Sequence, residues 1–163
     1  MITNKGTRWM ALAAAVAGLA GIVIALPARA ADSINVPVSA TVLGVCKFST
    51  PQSPTVDITN VVGGIDPSLA GNATGTANVL YRCTNGTAPA FALTGGATLT
   101  LTCAACGGAT MAATMTLTPP GSPNGQGFAT DLTLVLTGTI SSAVYAPAAP
   151  GTYTGTQQIT VTP

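Results

Sequence analysis

From residue 34 to residue 42 apolar and polar side chains alternate without a break. Ile34, Val36, Val38, Ala40 and Val42 fall on one side of an extended chain, with Asn35, Pro37, Ser39 and Thr41 on the other. A period of two predicts a half-buried β-strand, and nine residues span roughly 30 Å. Alternation returns at the far end, where Tyr153, Gln157, Ile159 and Val161 share one face and threonines mostly occupy the other. In between, short apolar and β-branched runs are separated by Gly, Pro, Asn and Ser clusters, the spacing of an all-β sandwich or barrel. The predicted strands are 45–48, 55–61, 76–83, 90–93, 98–102, 112–118, 129–136, 140–145 and 152–161. Residues 63–67 and 119–125 are dense in turn formers and read as loops. Neither a repeat of fixed period nor a long linker divides the chain, so one domain is expected over 45–163, preceded by an extension, 31–44.

The alternating segment follows a tripartite export signal, residues 1–30. Lys5 and Arg8 precede an apolar run from Trp9 to Leu26, and Ala28-Arg29-Ala30 supplies small residues where a signal peptidase reads. The competing reading is a membrane anchor; Pro27 and the Ala-x-Ala ending favour cleavage after Ala30. The processed chain would then begin with a strand that has no hairpin partner before it, and such a strand needs a sheet to join.

Charge narrows the function. Past residue 30 only Lys47 and Arg82 face Asp32, Asp57, Asp66 and Asp131, too little positive charge to neutralise phosphates, so nucleic acid is not an expected partner. The chain has no His and no Glu, which removes the commonest general base and the usual metal-ligand sets and argues against an enzyme, a metal or another cofactor. Its abundance of Thr and Val marks an ordered β-protein rather than a disordered one. So little surface charge is unusual for a soluble monomer and suits a subunit that lives assembled.

Cys46, Cys83, Cys103 and Cys106 in an exported chain imply two disulfides with three possible connectivities. Local closure of Cys103-Ala-Ala-Cys106 would leave Cys46 for Cys83. A redox pair at Cys103 and Cys106 needs a helix N-terminus or a nearby cation, and the flanks read as a strand and a Gly-Gly turn instead. The sequons Asn72-Ala-Thr74 and Asn85-Gly-Thr87 read as turns, and Asp57, Asp66 and Asp131 are too scattered for a calcium loop or a carboxylate pair. Arg82 is expected to face solvent. No Gly-x-Ser-x-Gly elbow is present to support acyl transfer.

In order, the signal, the alternating strand, Val45-Cys46-Lys47-Phe48, Val79-Leu-Tyr-Arg-Cys83-Thr84 and Gly151-Thr-Tyr153-Thr-Gly155 through Ile159-Thr-Val161 resemble the spore coat U domain family. That family includes major subunits of archaic chaperone-usher pili. The resemblance implies an incomplete immunoglobulin-like β-sandwich, completed by donor-strand exchange with an identical subunit. It also implies a periplasmic chaperone and an outer-membrane usher as assembly partners, a tip adhesin as a further one, and a final location in a cell-surface fibre. The donor positions map onto Ile34, Val36, Val38, Ala40 and Val42, and the family disulfide onto Cys46 and Cys83. The sequence departs from that pattern at Pro37, which cannot donate a ladder hydrogen bond. Other departures are the Met115-Thr-Leu117-Thr-Pro119 stretch, where a Tyr-rich strand is usual, and the added Cys103 and Cys106. Two further readings compete: a monomeric secreted sandwich that folds its own N-terminal strand back, and a thiol-disulfide enzyme.

Overall fold

A computed structural model describes residues 32–163. The signal segment and its cleavage point lie outside the described residues. The fold is all-β and antiparallel. Its larger sheet has five strands, β1 (Cys46–Phe48), β2 (Asn72–Cys83), β4 (Thr98–Cys103), β5 (Ala109–Thr118) and β6 (Leu132–Ser141), in the order β1-β2-β6-β5-β4. The second sheet has two, β3 (Ala90–Thr94) and β7 (Gln158–Thr162). One helical turn, α1 (Ser142–Tyr145), follows β6.

Alternation sets the faces. Ala73, Ala77, Val79, Tyr81 and Cys83 of β2 point inward and meet Leu134, Leu136 and Ile140 of β6, with Met111, Ala113 and Met115 of β5 and Leu101 of β4 extending the core. Small faces large across the ladder: Ala73 is opposite Ile140 and Ala77 opposite Leu136. Pairing a small side chain with a large one lets the two strands share the volume of the layer. The outward positions carry threonines in cross-strand rows, one of them running Thr98, Thr114, Thr139 and Thr74. A β-branched residue with a hydroxyl suits an extended, half-solvated position.

In three stretches of the sandwich the predicted strands take a different form. Residues 55–61 form no strand; Thr59 bridges Thr74, and the stretch before it crosses over the sheet. It crosses at a glycine pair. Gly75 and Gly138 are direct partners in the β2–β6 ladder. A methyl on Gly138 would lie 2.8 Å from Ile58 Cδ1, and one on Gly75 would lie 2.6 Å from the Asp57 carbonyl carbon. Side chains at either position would displace the crossing segment. Gly138 therefore does not separate two strands, as the expected 129–136 and 140–145 had it. It sits inside the single strand β6, after which residues 142–145 turn helically.

That turn buries Tyr145, 3% exposed, whose hydroxyl stands 2.9 Å from the carbonyl oxygens of both Leu69 and Gly71. The third difference is at the C-terminal end. Of the expected 152–161, only Gln158–Thr162 pairs with β3; Thr154 instead exchanges two backbone hydrogen bonds, 2.8 and 3.0 Å, with Thr102 on the edge of the larger sheet. The chain thus leaves one sheet and joins the other between residues 154 and 158.

Candidate functional site

The second sheet covers the first incompletely. Phe91, Leu93, Ile159 and Val161 point inward from β3 and β7, yet all four remain half-exposed. Their counterparts on β2 and β6, Val79, Tyr81 and Leu134, are 4% exposed or less. Phe91 meets Tyr81 edge-to-face, centroids 4.8 Å apart, and Ile159 packs on the same cluster.

Along its outer side β7 has no backbone partner among the described residues, whereas its inner side pairs Gln158, Ile159, Thr160, Val161 and Thr162 with β3. An unpaired edge presents a row of N–H and C=O groups ready to receive another strand. Beside it opens a cleft of about 490 Å³ lined by Phe48, Pro54, Val79, Thr156, Gln157 and Ile159 among others. The far wall is the chain after β1. Ser49 N–H donates to the Leu80 carbonyl at 2.9 Å, and Gln52 then serves as a stand-in for strand pairing. Its side-chain amide donates to Leu80 O and accepts from Leu80 N–H, both at 2.9 Å. This holds the wall beside β2 after β1 has ended at Phe48.

The two disulfides position opposite sides of this arrangement. Cys46–Cys83 joins β1 to β2 at directly paired positions. Cys103–Cys106 closes the turn between β4 and β5, and Gly151 lies on its sulfurs. A methyl on Gly151 would lie 2.7 Å from Cys103 Sγ and nearer still to Cys106 Sγ, and Cys106 Sγ stands 3.4 Å from the Pro150 carbonyl oxygen. The disulfide is thus the seat on which the C-terminal segment turns before bridging Thr102 and entering β7. Both sulfurs are in structural contacts, and no free cysteine occurs among the described residues.

Arg82 does not simply face solvent. Its Nε and Nη2 donate to the two Asp131 carboxylate oxygens at 2.6 and 2.9 Å, and Ser49 donates to the same carboxylate. The guanidinium beside Asp131, with the Ser49 hydroxyl, lowers the carboxyl to about 2, and Asp131 in turn raises Arg82. Asp66 is also lowered, by hydrogen bonds from the Ser68 hydroxyl and backbone. The first pair ties the end of β2 to the segment entering β6, and the second closes a turn within the loop before β2. No set of three acidic, Cys or His side chains able to hold a metal occurs among the described residues.

Of the residues singled out from sequence, Ile159 lines the cleft, and Val161 shares its inward face on β7. Tyr153 is not on that strand; it packs half-buried against the core of the larger sheet and donates its hydroxyl to Ala149 O at 3.0 Å. Residues 32–44, expected to be a strand over 34–42, have no regular structure. Ile34, Val36, Val38 and Val42 are 71 to 89% exposed, and Ala40 is exposed too. Sequence reasoning missed Phe48, Gln52 and Val79 as lining groups. Val79 carried a signal in its spacing of two from Ala77, Tyr81 and Cys83; Gln52 carried none, because its role depends on where β1 stops. In comparisons with protein-family models, curated proteins and solved structures, nothing matches this chain.

Proposed function

We propose that this chain is an exported structural subunit of a surface fibre, a pilin. In this reading, residues 34–42 of one copy enter the cleft beside β7 of the next and complete an immunoglobulin-like sandwich. The observation that carries the reading is a pair of unmet needs in one molecule. An unpaired β7 edge stands over a half-exposed apolar floor, and a segment with strict apolar alternation leaves its apolar face exposed. Strand addition would satisfy both. Burying Ile34, Val36, Val38 and Val42 is worth about 8 kcal/mol before ordering costs. Donor and acceptor surfaces differ, so the contact does not close and copies continue into a fibre.

Pro37 fixes which side of the donor faces β7. Successive residues of a strand direct their N–H and C=O groups to opposite edges. Pro37 has no N–H, so the edge carrying 35, 37, 39 and 41 turns away from β7. Ile34, Val36, Val38, Ala40 and Val42 then supply both the ladder bonds and the core contacts. A periplasmic chaperone lending a strand to the same cleft and an outer-membrane usher are the assembly partners this reading calls for, with a tip adhesin as a further fibre component. It involves no catalysis or cofactor.

The test is a denaturing gel of the protein exported with its own assembly factors, unboiled and boiled. A ladder of multimers that collapses only on heating is expected, and Val38→Asp, which puts an unpaired charge into the cleft, should abolish it while leaving the subunit folded. A single monomer band from folded wild-type protein would instead mean a self-contained secreted sandwich.

A further inference from the structure

Two asparagines of the chain, Asn85 and Asn124, precede glycine. That dipeptide is prone to lose its side-chain amide, because glycine carries no side chain to shield its nitrogen from the neighbouring amide carbon. The nitrogen of Gly86 or Gly125 bonds to Cγ of the asparagine before it and gives up its proton; the Cγ–Nδ2 bond breaks, and ammonia leaves. Water then opens the resulting cyclic imide at one carbonyl or the other, giving aspartate or isoaspartate. The attack needs a glycine nitrogen whose N–H is not engaged and a backbone able to rotate onto the side chain.

The fold withholds both by setting the two dipeptides against each other. Gly86 N–H donates to the Gly125 carbonyl at 2.8 Å, and Gly125 N–H donates to the Thr87 carbonyl at 2.8 Å. Each reacting nitrogen is held by the other loop. The turn bearing Asn85 is closed by Thr87 N–H on the Thr84 carbonyl at 3.0 Å, with Gly86 at φ +77°. The loop bearing Asn124 is tied on both sides of it: the Tyr81 hydroxyl donates to Pro123 O at 2.9 Å, and Gly127 N–H donates to Cys83 O at 3.1 Å. Both asparagines are exposed, so water and base reach their amides, and the protection lies in the backbone alone.

The two positions are unequally guarded. Gly86 is exposed, and losing one hydrogen bond frees its N–H. Gly125 is buried, and a methyl there would lie 2.6 Å from Cys83 Cβ and 2.7 Å from the Cys83 carbonyl carbon. Its backbone turns only if the whole loop lifts off the end of β2. We infer that Asn85-Gly86 and Asn124-Gly125 form a reciprocal latch against deamidation, durable while the two loops are paired and spent once they part, with Asn85 the first to convert. The latch does not depend on the strand-exchange reading. Isoaspartate adds a carbon to the main chain, and at residue 124 the lengthened backbone no longer fits beside Cys83, so a chain modified while open does not close again. The same turn roots the N-terminal extension. Thr84 Oγ1 accepts from Val45 N–H at 3.1 Å and donates to the Leu43 carbonyl at 3.2 Å. The state of the two asparagines therefore records whether this end of the molecule has stayed shut.

The experiment incubates the exported protein, disulfides intact, in mildly alkaline buffer with and without urea, and follows asparagine, aspartate and isoaspartate at both positions by peptide mapping. In urea both should convert as free peptides do. In the native protein both should slow roughly a hundredfold, as for a reaction that waits on local opening, with Asn85 ahead of Asn124. Gly125→Ala, which leaves residues 84–87 untouched, should speed native Asn85 conversion about tenfold by lifting the opposing loop. If that variant does not fold, Gly127→Ala, disfavoured at φ +92° but free of any clash, makes the same test. Native conversion as fast as in urea overturns the latch, and so does an Asn85 rate unchanged in the folded variant. Asn124 converting before Asn85 overturns the order assigned to them.

Discussion

The five-stranded and two-stranded sheets are written in the same alternating code, and only one of them is finished. Leu134 and Tyr81 in the first are fully buried, while Ile159 and Phe91 in the second alternate just as strictly and stay half-exposed. Alternation states which face of a strand seeks cover. It does not state whether the chain itself provides the cover. In the larger sheet it does, through four ladders; in the smaller, β7 has β3 on one side and an open cleft on the other.

The two sheets differ most in what their covalent links hold. Replacing Cys46 and Cys83 by alanine should cost about 4 kcal/mol of unfolding free energy in the chain-entropy model, against about 2 kcal/mol for Cys103 and Cys106. Urea titration of each double variant measures this. The second pair should have a further effect confined to the smaller sheet: without its sulfur seat, Gly151 is free, and amide exchange at Gln158–Thr162 should accelerate more than exchange in β2.

Single side chains sharpen the contrast. Leu134→Ala should cost about 3 kcal/mol, within the usual range for a buried leucine, and Ile159→Ala about 1 kcal/mol because the site is only half-covered. Adding a peptide of residues 32–44 should raise the Ile159→Ala cost toward that of Leu134→Ala and leave Leu134→Ala unchanged. Equal costs with and without a bound peptide would show that Ile159 does not belong to the receiving surface.

The smallest effect is electrostatic. Asp131 has its carboxyl lowered to about 2 by Arg82 and Ser49, from an ordinary value near 3.8. A lowered carboxyl contributes stability that is complete above the unfolded value and disappears as pH falls through the folded one. The melting temperature of the wild type should exceed that of Asp131→Asn by a small, constant margin above pH 4, and the margin should vanish toward pH 2. High salt should shrink it as well, since the pair is partly exposed.

Much of the fold was legible because alternation and turn chemistry are local. The inward faces of β2, β5 and β7 follow directly from Val79, Met115 and Ile159 and their neighbours at every second position. The failures came where a residue's role depends on a distant partner. Gly138 looks like a strand break until Ile58 is seen lying across it, and residues 55–61 look like a strand until Gly75 shows that they pass over one. Residues 142–145 turn helically to seat Tyr145 under a loop whose Asn60 end is 85 residues away in sequence, for which the local pattern holds no sign. At the candidate site, although Phe48 and Val79 went unread as lining groups, the inward face of β7 at Ile159 and Val161 was visible from sequence. The Gln52 substitution for a strand, and the seat that Cys103 and Cys106 make for Gly151, were not.

The position of Cys46 has a mechanical consequence. Tension drawn along the N-terminal segment enters the fold at Val45, where β1 offers only three residues of pairing, a ladder that would peel open one bond at a time. The sulfur bridge to Cys83 meets that load at the first paired position and hands it to β2, whose twelve residues are clamped along most of their length by β6. Pulling on the tail therefore loads a covalent bond and a long ladder in shear, and the short strand that joins them carries almost none of the force.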